Sequence, residues 1–348
     1  MKDISQRKAD HLDLAESGDV GFRQTTLFEC VRLVHDALPE LAFDEIDSEV
    51  VLLGKRLSAP LVIAAMTGGH ERAERINKEL ASLAEEHRIA FGLGSQRAMH
   101  RSRERLRTYA VRDVAPSTLV LGNLGIVQAT AMSNAEVEDL VGAIGADALC
   151  VHLNPAMELI QDEGDRDFRG GLSTLERLAG ELSVPVVAKE TGCGISAHAA
   201  RRLREAGVRH VDVSGAGGTS WVAVETHRAS DARRGLGQTF WDWGIPTAAS
   251  VCLVQNFGFE TVIATGGVKS GLEIAKAVAL GASAGGVARP VLQALERGGR
   301  AGASAMLSRL VEELRIAMLL VGSRNLTDLS RTPRLITGEL CEWLRQKP

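Results

Sequence analysis

Aromatic side chains are scarce in this sequence. Phenylalanine, tryptophan and tyrosine make up 4% of its 348 residues, and Tyr109 is the single tyrosine. Few rings means little capacity for base stacking, so a single-strand nucleic-acid binder is not expected. Charge of one sign is not in excess either. The net charge is -4, which gives no push toward nucleic acid or an anionic membrane. No apolar run approaches the ~18 residues of a membrane span. The opening, MKDISQRKADHLDLA, has no apolar core of a secretory signal. The five cysteines (Cys30, Cys150, Cys193, Cys252 and Cys341) include no CxxC pair, and their number is odd. They read as reduced thiols of a cytosolic protein. With 45% hydrophobic and 24% charged residues, disorder, collagen and a disulfide-stapled miniprotein are excluded.

Glycine is abundant instead, at 36 residues, which suits tight turns and close approach of backbone to a ligand. From Pro60 onward, eight short apolar runs alternate with amphipathic stretches: 60–66, 89–94, 118–123, 148–154, 185–190, 209–215, 261–267 and 283–289. They lack period-2 alternation, as strands buried on both faces of a parallel sheet do. Capping boxes at Ser133/Glu136, Ser173/Glu176 and Ser270/Glu273 start helices between them. Eight such units predict a single α/β domain, a TM-free TIM (β/α)8 barrel with its core over 60–290. Residues 1–55 read as an N-terminal extension, 215–246 as a long Gly- and Trp-rich loop, and 291–348 as C-terminal helix and polar tail.

In such barrels the chemistry gathers where strands run into βα loops. Here all eight runs end in polar groups or glycine. TGGVKSG (265–271) closes the seventh run and opens a helix, and ARP follows the eighth. Glycine amides plus a helix N-terminus cradle a phosphate, although a plain tight turn reads the same way. Lys189 ends the fifth run. It is suited to a Schiff base, to a place beside an anionic cofactor ring, or to an ion pair with Glu190 or another rim carboxylate. HLNPAMELIQDEGDRDF (152–168) concentrates His152, Asn154, Glu158, Asp162, Glu163, Asp165 and Asp167, oxygen-rich enough for Mg²⁺ or simply a solvated acidic loop. GLGSQR places Arg97 among hydroxyl and amide groups as an anion clamp. Arg101, Arg103, Arg105 and Arg107 read as surface. Arg7, Lys8 and His11 read, on composition, as a solvated basic tail.

Taken together, QRKADHL, AAMTGG, GLGSQR, HLN…EGDRDF, VAKETGCGIS, VDVSGAGGTSW and ATGGVKSG resemble, in this order, the type 2 (FMN-dependent) isopentenyl-diphosphate delta-isomerase family. The resemblance spans roughly residues 5–290. It implies an FMN-linked barrel that moves a double bond of a prenyl diphosphate, in isoprenoid biosynthesis, without net redox. Reduced FMN is then the acid–base group, NADPH or NADH its reductant, and Mg²⁺ sits on the diphosphate. The resemblance places the flavin on Ala65, Met66, Thr67, Ser95, Asn123, Lys189, Ser214 and Thr219, and its phosphate on Gly266, Gly267, Val268, Ala288 and Arg289. Substrate would meet Arg7, Lys8, Ser95, Gln96, Arg97, His152 and Asn154, and Glu158 would hold the metal. Met157, Lys189 and His152 are the residues expected nearest the reaction. The N-terminal arm becomes a lid over its own or a neighbouring site. A cytoplasmic homo-tetramer or homo-octamer with no nucleic-acid or membrane partner is expected.

One departure stands out. The family pattern has glutamine where this chain has Met157. Methionine offers no N–H and no strong acceptor. If that glutamine moves or orients a proton, its loss should cost on the order of 10²–10⁴ in rate. Gln161, in the same loop, is a nearby amide that could stand in. An FMN-dependent oxidoreductase, or an isomerase of a different prenyl diphosphate, is the alternative reading.

Overall fold

The computed structural model describes residues 18–345 together with His11, Asp13 and Leu14. Its strands are β1 (Val31–Leu33), β2 (Val50–Leu52), β3 (Lys55–Leu57), β4 (Leu61–Ile63), β5 (Ala90–Gly92), β6 (Val120–Gly125), β7 (Ala148–Leu153), β8 (Val186–Glu190), β9 (His210–Asp212), β10 (Thr261–Ala264), β11 (Ala284–Val287) and β12 (Arg334–Ile336). β4 to β11 form a closed parallel barrel in sequence order, sealed where Gly286 of β11 pairs with Val62 of β4. All eight predicted runs supply a barrel strand. Every residue of β4, β5, β6, β8, β10 and β11 is buried, which explains the unbroken apolar runs.

The helices up to the sixth strand are α1 (Glu71–His87), α2 (Arg97–Arg101), α3 (Ile126–Thr130), α4 (Asn134–Ala143), α5 (Pro155–Ile160), α6 (Gly171–Glu181) and α7 (Ala197–Glu205). They are followed by α8 (Trp221–Arg228), α9 (Asp231–Thr239), α10 (Thr247–Gln255), α11 (Gly271–Ala279), α12 (Arg289–Leu320), α13 (Leu326–Arg331) and α14 (Gly338–Arg345). α1 shows the packing logic: Ala73, Ile76, Leu80, Leu83 and Ala84 recur at three- and four-residue spacing, and all are buried. Among the described residues no helix is long and apolar enough to cross a membrane.

Four expectations need correction. Ser133 and Glu136 do form a reciprocal capping box, and Ser270 caps α11. Ser173, however, lies inside α6, whose N-cap is Gly170 in a left-handed conformation. The stretch 215–246 is not one loop, because α8 and α9 fold within it. Nor is 1–55 only an arm. The β2–β3 hairpin turns through Leu53 and Gly54, both at positive φ, as a two-residue hairpin turn favours. Leu52 and Leu57 then pack on Val62, Ala90, Ala148, Val187 and Ala284, closing the barrel where its strands begin. Finally, the tail is not merely polar: β12 pairs antiparallel with β1 and ties the two ends of the chain together.

Candidate active site

With one end of the barrel plugged, the opposite rim encloses a cavity of about 460 Å³, within the range of small-ligand sites. Each strand tip contributes. The β4 exit brings Ala65, Met66 and Thr67, and the β5 exit brings Ser95 and Arg97. Asn123 comes from within β6, His152 from β7, Asn154 from just after it, and Lys189 from β8. Ser214 and Thr219 follow β9, Thr265 to Val268 follow β10, and Ala288 and Arg289 follow β11. The lining is cationic. Arg97, Lys269 and Arg289 border the cavity, as does Lys189, whose charge is paired with the buried Asp212, and Glu158 is its one acidic side chain among the described residues. Such a wall favours an anionic ligand.

The glycine cradle has a steric cause. Gly266 and Gly267 sit at φ +100° and +77°, where side chains are strained. A Cβ on Gly266 would stand 2.1 Å from Gly215 O, and one on Gly218 would stand 2.4 Å from Gly267 N. The loops after β9 and β10 therefore interlock backbone on backbone. Beside them Ala288 and Arg289 start α12, which is kinked at Gly299 and whose N-terminus carries partial positive charge. Amides and helix end converge as an anion seat, and the cradle leaves no room for a side chain. On the far wall the Arg97 Nε is buried with no partner among the described residues, a donor that a ligand can satisfy. These features fit a phosphorylated cofactor.

Polar side chains are locked from behind. His152 Nδ1 lies 2.7 Å from Asn123 Oδ1, which fixes the ring. Glu158 accepts from Asn154 Nδ2 at 2.9 Å and from the Asp165 amide at 2.9 Å. Asp165 in turn accepts from Gln128 Nε2 at 3.0 Å and lies 3.8 Å from Arg97. Lys189 Nζ donates to Asp212 Oδ2 at 2.7 Å and to Thr265 Oγ1 at 3.1 Å.

The sequence profile of the FMN-dependent dehydrogenase family matches residues 151–336. The isopentenyl-diphosphate delta-isomerase of Methanothermobacter thermautotrophicus is 47% identical, over 99% of this chain and 97% of its own. That of Thermococcus kodakarensis is 45% identical, over 98% and 94%. Among solved structures, a mandelate oxidase variant superposes with a TM-score of 0.67 at 19% identity, covering 93% of this chain and 95% of the other. The chain belongs to the type 2 isopentenyl-diphosphate delta-isomerase family.

Against the family assignments, most of the named residues meet at one cavity. Gln96 does not. It is fully buried and bridges two neighbours, donating to Leu140 O at 2.8 Å and accepting from the Asn123 amide at 3.0 Å. It braces β6 from behind and does not line the cavity. Gln161 also lies off the cavity, so it cannot replace the missing family amide at position 157. Arg7 and Lys8 lie outside the described residues. His11 is no solvated tail residue. It borders the cavity, lies 2.7 Å from the buried Glu225, and meets Trp221 edge to face at 5.3 Å.

The acidic loop separates likewise. Glu158 faces the cavity from the first turn of α5, while Asp162 accepts from Ser230 and Asp167 pairs with Arg169 in solvent. No cluster of three or more His, Cys, Asp or Glu side chains among the described residues could hold a metal alone. Lys189 pairs with Asp212, not Glu190. Glu190 instead accepts from the Thr191 and Cys193 amides, and burial pushes its carboxyl up to about 8. Arg105 departs from the surface reading by donating to Gly69 O at 3.2 Å beside the β4 exit.

Sequence reasoning missed Asp212, Thr265, Gln128 and Phe22. An aspartate inside the apolar run RHVDVSG was a readable signal, because a charge in a buried strand needs a partner. Gln128 reads as an ordinary helix residue and gave none. Phe22 comes from the extension and reaches the cavity only through folding.

Proposed function

We propose that this chain converts isopentenyl diphosphate to dimethylallyl diphosphate, using FMN reduced by NADPH or NADH, with Mg²⁺ on the diphosphate. The observation that carries this reading is 47% identity to an enzyme of that name over 99% of the chain. The reaction adds a proton at the terminal methylene and removes one from the neighbouring CH₂, so nothing is oxidised overall. Bound and reduced, FMN supplies the acid–base nitrogen. The chain does the rest. The backbone of Gly266 to Val268 and the start of α12 hold the cofactor phosphate. Ala65, Met66, Thr67, Ser95, Asn123, Lys189, Ser214 and Thr219 border its ring. Arg97, His152 and Asn154 orient the diphosphate, and Glu158 gives the metal one carboxylate, the remaining oxygens coming from substrate and water. Met157, Phe22 and Trp221 form an apolar wall that keeps water from the alkene. The assembly is a homo-tetramer or homo-octamer, which light scattering measures.

The test is direct. The purified, FMN-loaded protein is reduced anaerobically and given isopentenyl diphosphate with Mg²⁺, and the product is followed by NMR. Dimethylallyl diphosphate should accumulate only after reduction. Continuous NADPH consumption with an oxidised product would instead establish an oxidoreductase.

A further inference from the structure

Asp212 lies one layer below the cavity and touches three groups that line it. Its Oδ2 accepts from Lys189 Nζ at 2.7 Å. Its Oδ1 accepts from Thr265 Oγ1 at 2.5 Å and from the Ser214 amide at 3.2 Å. Lys189, Ser214 and Thr265 belong to three adjacent strand tips, β8, β9 and β10, and all three border the cavity, whereas Asp212 does not. Ser214 is held at φ +37°, a conformation serine does not favour by itself. The pair is buried, with side-chain exposures of 10% for Lys189 and 6% for Asp212. At that depth two opposite charges act on a neighbour as a nearly neutral unit.

We propose that Asp212 is a positioning residue: it fixes Lys189, Ser214 and Thr265 as one floor and cancels the lysine's charge, so that a bound flavin ring meets an oriented donor and not a net cation. The proposal rests on the FMN reading above and adds to it a carboxylate that acts through Lys189. An uncompensated cation beside the ring favours the anionic, reduced cofactor, and compensation removes that bias. An enzyme that returns its cofactor unchanged has no need of the bias.

The experiment measures the midpoint potential of bound FMN in the holoprotein by anaerobic dye equilibration. Asp212→Asn keeps the shape and uncovers the charge. It should raise the ratio of reduced to oxidised FMN affinity on the order of tenfold, or about 30 mV more positive for a two-electron couple. The double variant Asp212→Asn/Lys189→Met removes both charges together and should bring that ratio back to within about threefold of the wild type. If Asp212→Asn alone does not fold, the double variant still decides: a tenfold or larger fall there means the lysine was never compensated and overturns the proposal. A yellow wild type with an unshifted Asp212→Asn variant overturns it as well, and leaves the FMN reading intact. A wild-type chain that takes up no FMN overturns both.

Discussion

The Asn123 side-chain oxygen sits 2.7 Å from Nδ1 of His152, one strand away in the barrel. This bond fixes the ring nitrogen that carries the proton and turns the imidazole edge toward the cavity. Asn123→Ala should therefore lower kcat/KM about fivefold to tenfold, the worth of one lost hydrogen bond. His152→Ala should cost more, and the double variant should cost no more than His152→Ala alone. Steady-state kinetics of the four proteins check this.

Met157 is the family departure, and it lines the cavity beside Trp221 and Phe22. If the cofactor carries out both proton transfers, a side chain there needs only to exclude water. Met157→Gln should then retain or increase isomerase activity. A fall in kcat would show that the thioether has a role of its own.

Glu158 is buried and faces the cavity with one oxygen bonded to Asn154 and the other to the Asp165 amide. Glu158→Gln keeps the shape and removes the charge. The Mg²⁺ concentration for half-maximal rate should rise on the order of tenfold. Metal dependence equal to that of the wild type would remove Glu158 from the metal site.

Gly267 combines φ +77° with a would-be Cβ 2.5 Å from Thr26 Cγ2. Gly267→Ala should weaken FMN binding at least tenfold and lower Tm, since strain and clash together cost on the order of 2 kcal/mol. Fluorescence titration with FMN reads the first effect and a thermal melt the second. Gly298, where a Cβ would meet nothing within 4 Å, is the matched control.

Glu190 carries a carboxyl raised by burial to about 8 from an ordinary 4.5. Between those values the unfolded chain has released this proton and the folded chain retains it, so this group makes stability fall as pH rises from 4.5 to 8. Above 8 its contribution levels off. Glu190→Gln removes the titration, and the amide oxygen can still accept from the Thr191 and Cys193 amides. The variant should match the wild type near pH 4.5 and melt higher at pH 8, on the order of 3 °C. Equal melting at both pH values would show the carboxyl to be unshifted.

Much of this architecture was readable along the chain. Burial on both faces writes itself as an unbroken apolar run, so β4 to β11 could be located and counted before folding. The phosphate cradle was readable too, because adjacent glycines such as Gly266 and Gly267 mark backbone that no side chain may crowd. Partners were harder. Nothing local distinguishes Gln96, which braces β6, from Arg97, which borders the cavity one residue later. Ser173 has the spacing of a cap but sits within a helix that starts earlier.

The sequence by itself determined the barrel, its direction and the kind of ligand its rim receives, because periodicity and glycine placement act over a few residues. Tertiary structure alone decided that residues 50–57 plug the barrel, that His11 returns to Glu225 across 214 positions, and that Lys189 takes Asp212 as its partner and not the adjacent Glu190. Those outcomes depend on which strand tips lie side by side after closure. A buried charge selects its partner by distance in space, and distance along the chain carries no record of it.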